Sequence, residues 1–158
     1  VAFARFGGDE AAVPTDLNAL VAGVAANQLA PEQPQQLDLH PRLPSVPVRP
    51  VALGRAVANL LENARRYAPG PVTLRTWVGP QGIAIAVTDA GPGIPADQMA
   101  RLRQPFERLD TSRSQHSGAG LGLAIVERVV RLHHGSLEMA NAPGGGLSVT
   151  LWLPHPVA

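Results

Sequence analysis

Glycine and proline punctuate this chain so densely that only a few runs are left for regular structure. Sixteen of each fall among 158 residues, about twice the ordinary share, and they are grouped rather than spread. Apolar side chains still make up 45% of the residues, enough for a packed core and too many for a low-complexity coil. The chain is long enough to build one such core without covalent staples. It has no cysteine, which excludes a disulfide framework, a thiolate zinc site and a cysteine nucleophile.

The uninterrupted runs predict the elements. Asp16 is placed to cap a helix reaching about Leu29, with Leu17, Leu20, Val21 and Val24 as its apolar stripe. Pro31 and Pro34 are followed by Pro41, Pro44, Pro47 and Pro50 at a strict spacing of three. That spacing suits one face of a polyproline helix and a docking partner. An extended connector or edge strand is favoured, because Leu37, Leu39, Leu43, Val46 and Val48 can pack between the prolines, and Pro50 can open a helix. Val51–Ala68 reads as a strong helix stopped by Pro69-Gly70, and Val72–Val78 with Ile83–Asp89 as an antiparallel hairpin. Gly91–Gln115 is loop-rich, with at most a short helix over Ala96–Arg103. Leu121–His134 is a second buried helix, and Gly135–Ala140 with Leu147–Leu153 a second hairpin. Val1–Val13 looks like the end of a preceding helix rather than core. The sum is an α/β (α+β) two-layer sandwich, with helices on one face of a mixed, largely antiparallel sheet.

Charge narrows the function classes. Thirteen basic residues against twelve acidic ones give +1, too little for an electrostatic nucleic-acid binder. Six scattered aromatics make no stacking platform. The apolar run Ala19–Ala26 is too short to span a bilayer, and no leader pattern opens the chain. A soluble intracellular domain is expected.

Three clusters carry possible chemistry. On the Val51–Ala68 helix, Asn59, Asn63 and Arg66 share a face nearly opposite the apolar one, with Glu62 beside them. Asparagine is a poor helix former, and amide oxygens suit Mg²⁺. On spacing alone a solvated face with a Glu62–Arg66 pair is the better explanation. Asp89 ends a strand on the same side as Ile83, Ile85 and Val87, so its carboxylate is aimed toward the core and needs donors. Gly91 and Gly93 leave room beside it for a ligand or a plain turn. Gly118, Gly120 and Gly122 lead into the second buried helix, where free N–H groups at the positive helix end would suit phosphate. Between these clusters lie Phe106, Arg108, Arg113 and His116, in a segment long enough to be a lid.

Taken in order, these segments resemble the N, G1, F and G2 boxes of bacterial sensor histidine kinases. They read NLLENARRYA (Asn59–Ala68), DAGPGI (Asp89–Ile94), QPFERLD (Gln104–Asp110) and GAGLGLAIVERVV (Gly118–Val130). The wording is similar to that of EnvZ-like osmosensor kinases, over about Asp16 to Pro154. The resemblance implies the Bergerat ATP-binding sandwich shared with gyrase, Hsp90 and MutL, with ATP and Mg²⁺ bound. It assigns the metal to Asn63 with Asn59 nearby, and the adenine amine to Asp89. Tyr67 would pack on the adenine, and Arg66 would reach the phosphates. Gly91, Gly93 and Ile94 would shape the adenine pocket. Gly118, Gly120, Leu121 and Gly122 would close a lid spanning about residues 94–120. Arg108 and Arg113 are the γ-phosphate candidates, and Phe106 anchors the lid.

The resemblance further implies a catalytic domain over residues 14–158, with residues 1–13 left from a dimerising phosphoacceptor domain or its linker. Its partners would be that domain and a response regulator receiver, with no nucleic acid or membrane contact, on the cytoplasmic side of an inner-membrane sensor. Two departures are visible: Ala119 replaces a common lid hydroxyl, and no phosphoacceptor motif is present. Of the five histidines, His40 precedes a proline, His116 lies in the lid and His155 in the tail. His133 and His134 end a helix, where a cation favours the dipole. None is followed by an acidic residue, and all five are rejected as the acceptor. In the hydrolysing relatives a water-activating glutamate stands where this chain has Asn59. A nucleotide-sensing module, an ATPase and a proline-tract adaptor are the alternative readings.

Overall fold

The computed structural model describes residues 10–28, 35–67, 70–93, 95, 97 and 117–155. Seven strands and three helices are described: β1 Val13–Thr15, α1 Leu17–Gln28, β2 Gln35–Asp38, β3 Val46–Val48, α2 Pro50–Tyr67, β4 Val72–Gly79, β5 Gly82–Thr88, α3 Ser117–Leu132, β6 Ser136–Asn141 and β7 Leu147–Leu153. The main sheet runs β2-β4-β5-β7-β6, and β1 pairs with β3 in a small second sheet. Only β2 is parallel to its neighbour; the other pairs of the main sheet are antiparallel. α2 packs between α1 and α3, which yields the expected two layers.

Each layer follows from its residues. Asp16 caps α1, its Oδ1 accepting from Ala19 N at 3.1 Å. In α2, Leu53, Val57, Leu60, Leu61 and Ala64 are all buried, and each large side chain in such a stripe contributes about 1.5–3 kcal/mol. Strand β5 lies between β4 and β7 and is buried on both faces. Ile83, Ile85 and Val87 join the helix-side core, while Ala84 and Ala86 lie on the other face. On that second face Trp77 and Trp152 flank Ala84 in register and meet edge to face at 5.7 Å. Two aromatics far apart in sequence thus form a pair, with Arg75 4.5 Å above Trp77.

Some boundaries differ from expectation. Where it is described, the proline tract forms β2 and β3 with a turn at Pro41-Arg42 between them; Val46 and Val48 are buried around exposed Pro47, and Pro50 opens α2. α3 begins at Ser117 rather than Leu121, taking Gly118, Gly120 and Gly122 into its first turns. Glycine is a poor helix former, but once a helix exists each added residue closes a further bond. The predicted cradle ahead of the helix is therefore part of the helix itself. At the other end α3 stops at Leu132. His134 takes a left-handed conformation (φ 59°), with His134 N bonded to Arg131 O and Gly135 N to Val130 O, a Schellman closure. Glu10 and Val13, ahead of the expected domain boundary, also bond to the body of the domain. The predicted short helix over Ala96–Arg103 and most of the lid lie outside the described residues.

Candidate functional site

The α2 face opposite the apolar stripe is only partly open to water: Asn59, Glu62 and Asn63 are half-buried and Arg66 is exposed. Arg66 Nη2 pairs with Glu62 Oε2 at 2.9 Å, the simple i,i+4 pair that the spacing allowed, with a weight of only a few tenths of a kcal/mol. Asn59 does not fit a solvated face. Its Nδ2 is buried and makes no hydrogen bond, although such a donor carries a desolvation cost of about 1–3 kcal/mol. A phosphate oxygen or a bound water is the kind of acceptor that would relieve it.

Asp89 faces inward as the strand alternation required and is 6% exposed. Its Oδ1 accepts from Gly91 N at 2.9 Å and from Leu147 N at 3.0 Å, while Asp89 N donates to Leu147 O at 3.0 Å. The carboxylate is thereby locked in orientation by two backbone donors, and neither of these bonds uses Oδ2. A fixed buried carboxylate oxygen beside a glycine turn can accept a hydrogen bond from a planar amine. Gly93 adopts φ +81° against Asn141, where a Cβ would stand 2.5 Å from Oδ1. This close approach keeps a side chain out of the turn.

Gly146, Leu147 and Asn141 belong by sequence pattern only to the second hairpin, Leu147 opening its last strand, yet all three lie against the Asp89 turn. Gly146 has φ +92°, and a Cβ there would lie 1.9 Å from Asp89 O and 3.0 Å from its Oδ1. The β6–β7 turn therefore seats Asp89. The sequence signal was present in Pro143-Gly144-Gly145-Gly146, a turn richer in glycine than a hairpin needs.

Residues 48–157 match the family of histidine kinase-, DNA gyrase B-, and HSP90-like ATPases. The chain belongs to this family. Its relatives include the sensor histidine kinase CpxA of Escherichia coli (strain K12), 40% identical over 106 residues that cover 66% of this chain and 23% of CpxA. The NMR structure of the histidine kinase domain of the E. coli osmosensor EnvZ matches with a TM-score of 0.72 at 41% identity, covering 92% of each chain. Full-length ShkA, solved in complex with AMPPNP, matches with a TM-score of 0.78 at 26% identity, over 95% of this chain and 32% of ShkA. The chain is thus of the ATP-binding kinase-domain type found in two-component sensors, and it spans under a quarter of CpxA's length.

Within the family's ATP-binding fold, Asn59, Asn63 and Arg66 lie on α2 and Asp89, Gly91 and Gly93 at the end of β5. Gly118, Gly120, Leu121 and Gly122 lie in the first turns of α3, and Tyr67 is the last residue of α2. Ile94, Phe106, Arg108, Arg113 and His116 lie outside the described residues. No helix among the described residues is long and apolar enough to cross a membrane.

His133 corrects one expectation. It is not a cation serving the α3 dipole but a buried neutral ring. Nδ1 donates to Val129 O at 2.8 Å and Nε2 accepts from Arg49 N at 3.0 Å. Burial, aided by the nearby Arg49 charge, pushes its pKa below the ordinary 6.5, against the pull of its bond to Val129 and of Glu10. Desolvation outweighs the helix end.

Proposed function

We propose that this domain binds ATP with Mg²⁺ and presents the γ-phosphate to a histidine on a separate dimerising helical domain of the same parent kinase. The phosphoryl group would then pass to a response regulator receiver. The observation that carries this reading is Asp89, a buried carboxylate held rigid by Gly91 N and Leu147 N at the end of the central strand. It is fixed before any ligand arrives, as a reader of the adenine amine must be.

Asn63 would hold the metal through its amide oxygen, and the buried Asn59 donor would meet a phosphate oxygen or a bound water. Bound there, Mg²⁺ would neutralise phosphate charge. Mg²⁺ usually keeps most of its waters and its phosphate contacts, so a single amide oxygen from this chain would suit it. The acceptor imidazole nitrogen attacks the γ-phosphorus in line, the bond to the bridging oxygen breaks, and ADP leaves with the electron pair. This chain's part is to orient the triphosphate and exclude water. Arg66, released from Glu62, Arg108 and Arg113 would steady the phosphates. Tyr67, Gly91, Gly93 and Ile94 would frame the adenine, and Gly118, Gly120, Leu121 and Gly122 would close over the chain of phosphates. Asn59 in place of an acid leaves no general base for water at that position.

Among the described histidines, His133 is unsuited as an acceptor. Both ring nitrogens of His133 are engaged. His40 Nδ1 accepts from Arg42 N, and His155 Nε2 bonds Gly79 O. The test is to mix this chain with a separately made helical domain and labelled ATP. Phosphohistidine should form on the helical domain. Nucleotide binding without transfer would leave a sensing module, and steady hydrolysis by the chain alone would make it an ATPase. In the parent protein the domain would lie on the cytoplasmic side of the inner membrane.

A further inference from the structure

A helix start leaves four backbone N–H positions without a partner inside the helix. At α2 these belong to Arg49, Pro50, Val51 and Ala52, since Leu53 N already bonds Arg49 O at 2.9 Å. Proline has no N–H. Val51 N donates to Glu10 Oε2 at 2.7 Å and Ala52 N to Glu10 Oε1 at 3.0 Å. Arg49 N donates to His133 Nε2 at 3.0 Å. Every available donor is thus satisfied from elsewhere: two by a residue 41 and 42 positions upstream, one by a residue 84 positions downstream. The ordinary solution is a Ser, Thr, Asp or Asn at the cap, but here the cap is Arg49, which has no side-chain acceptor.

Glu10 sits just ahead of β1, which pairs with β3 through Val13↔Val48 and Thr15↔Val46. One residue after β3 comes Arg49. The incoming chain and the start of the asparagine helix are therefore held together by a strand ladder and a charged cap.

We propose that Glu10 is a positioning residue for the nucleotide site: through its bidentate cap on Val51 and Ala52, the segment that enters the domain sets where α2, and with it Asn59 and Asn63, lies. This rests on the kinase reading above, in which that segment leads back to the phosphoacceptor domain. The carboxylate takes one N–H on each oxygen, which fixes both the distance and the roll of the first helical turn. The next turns carry Leu53, Val57 and Leu60 into the core, so a shift at the cap moves the opposite face as a rigid unit.

The test separates position from stability. In the 158-residue chain, Glu10→Ala and the milder Glu10→Gln are compared with Glu10→Ala/Arg49→Ser, which gives α2 a local acceptor without the tie to the incoming segment. Three readouts are taken: melting temperature, the amide NMR shifts of Asn59 and Asn63, and affinity for Mg·AMPPNP. The proposal expects both single variants to move the two asparagine shifts and to weaken nucleotide binding, by about fivefold for Glu10→Ala. The added serine should restore the melting temperature while shifts and affinity stay displaced. Unchanged asparagine shifts in Glu10→Ala, or full recovery of shifts with the serine, would overturn it. If the wild-type chain bound no nucleotide, the kinase reading would fall and the asparagine shifts would decide the positioning role alone.

Discussion

The two halves of α2 treat their polar groups in opposite ways. At its N-terminus every free N–H has a partner, brought by Glu10 and His133 from distant parts of the chain. Two turns further on, Asn59 Nδ2 is buried with none. The same helix, packed by the same apolar stripe, is complete at one end and incomplete at the other. Folding alone tends to satisfy every buried donor. An unpaired amide on the face that also carries Asn63 is what the proposed nucleotide site would complete; the buried Trp152 Nε1, also without a partner, lies away from it.

Substitutions can break or sharpen that contrast. The largest effect is expected at the seat of Asp89. Gly146→Ala places a Cβ against Asp89 O in a backbone conformation with φ +92°, and should cost about 3 kcal/mol in urea unfolding together with most nucleotide affinity. Asn63→Ala should lower phosphotransfer to the helical domain by about a hundredfold while unfolding midpoints stay within about 0.5 kcal/mol of wild type. An equal loss of stability would mean that Asn63 belongs to the fold after all.

At the complete end, His133→Ala orphans Arg49 N and should destabilise by about 1–3 kcal/mol, read from chemical denaturation. The pH dependence follows from the same ring. Its folded pKa is lowered by burial, with Arg49 and His134 adding to the shift and Val129 and Glu10 opposing it. The unfolded chain thus binds the proton more readily. The stabilisation is fully present above the ordinary value of about 6.5 and is lost as pH falls through the lower folded value. Unfolding midpoints measured from about pH 8 to about pH 5 should decline more steeply in wild type than in His133→Ala. At the incomplete end no loss of stability is expected. Asn59→Leu removes the orphan donor and should leave stability unchanged or raise it by up to about 1 kcal/mol, yet lower phosphotransfer. A clear loss of stability would show that the fold needs this amide.

Much of the fold was legible locally. β7 matches its predicted span, and the β4–β5 hairpin and α2 agree within a residue or two, because apolar periodicity and Pro-Gly stops act over a few residues. Asp89 was legible as an inward carboxylate for the same reason. The seat made by Gly146 and Leu147 was not, since a glycine-rich turn looks the same whether it closes a hairpin or braces a strand 58 residues away. His133 was misread as a dipole cation because helix position is written in the sequence and burial is not.

What the sequence determined by itself was the order of the described elements from α1 onward and the family the chain resembles, both carried by local pattern and spacing. The tertiary structure alone decided which polar groups are answered and which wait. Glu10 reaches α2 across 41 residues and His133 reaches Arg49 across 84. Such pairings depend on how the layers stack, a property of the packed core as a whole that no short window of residues contains.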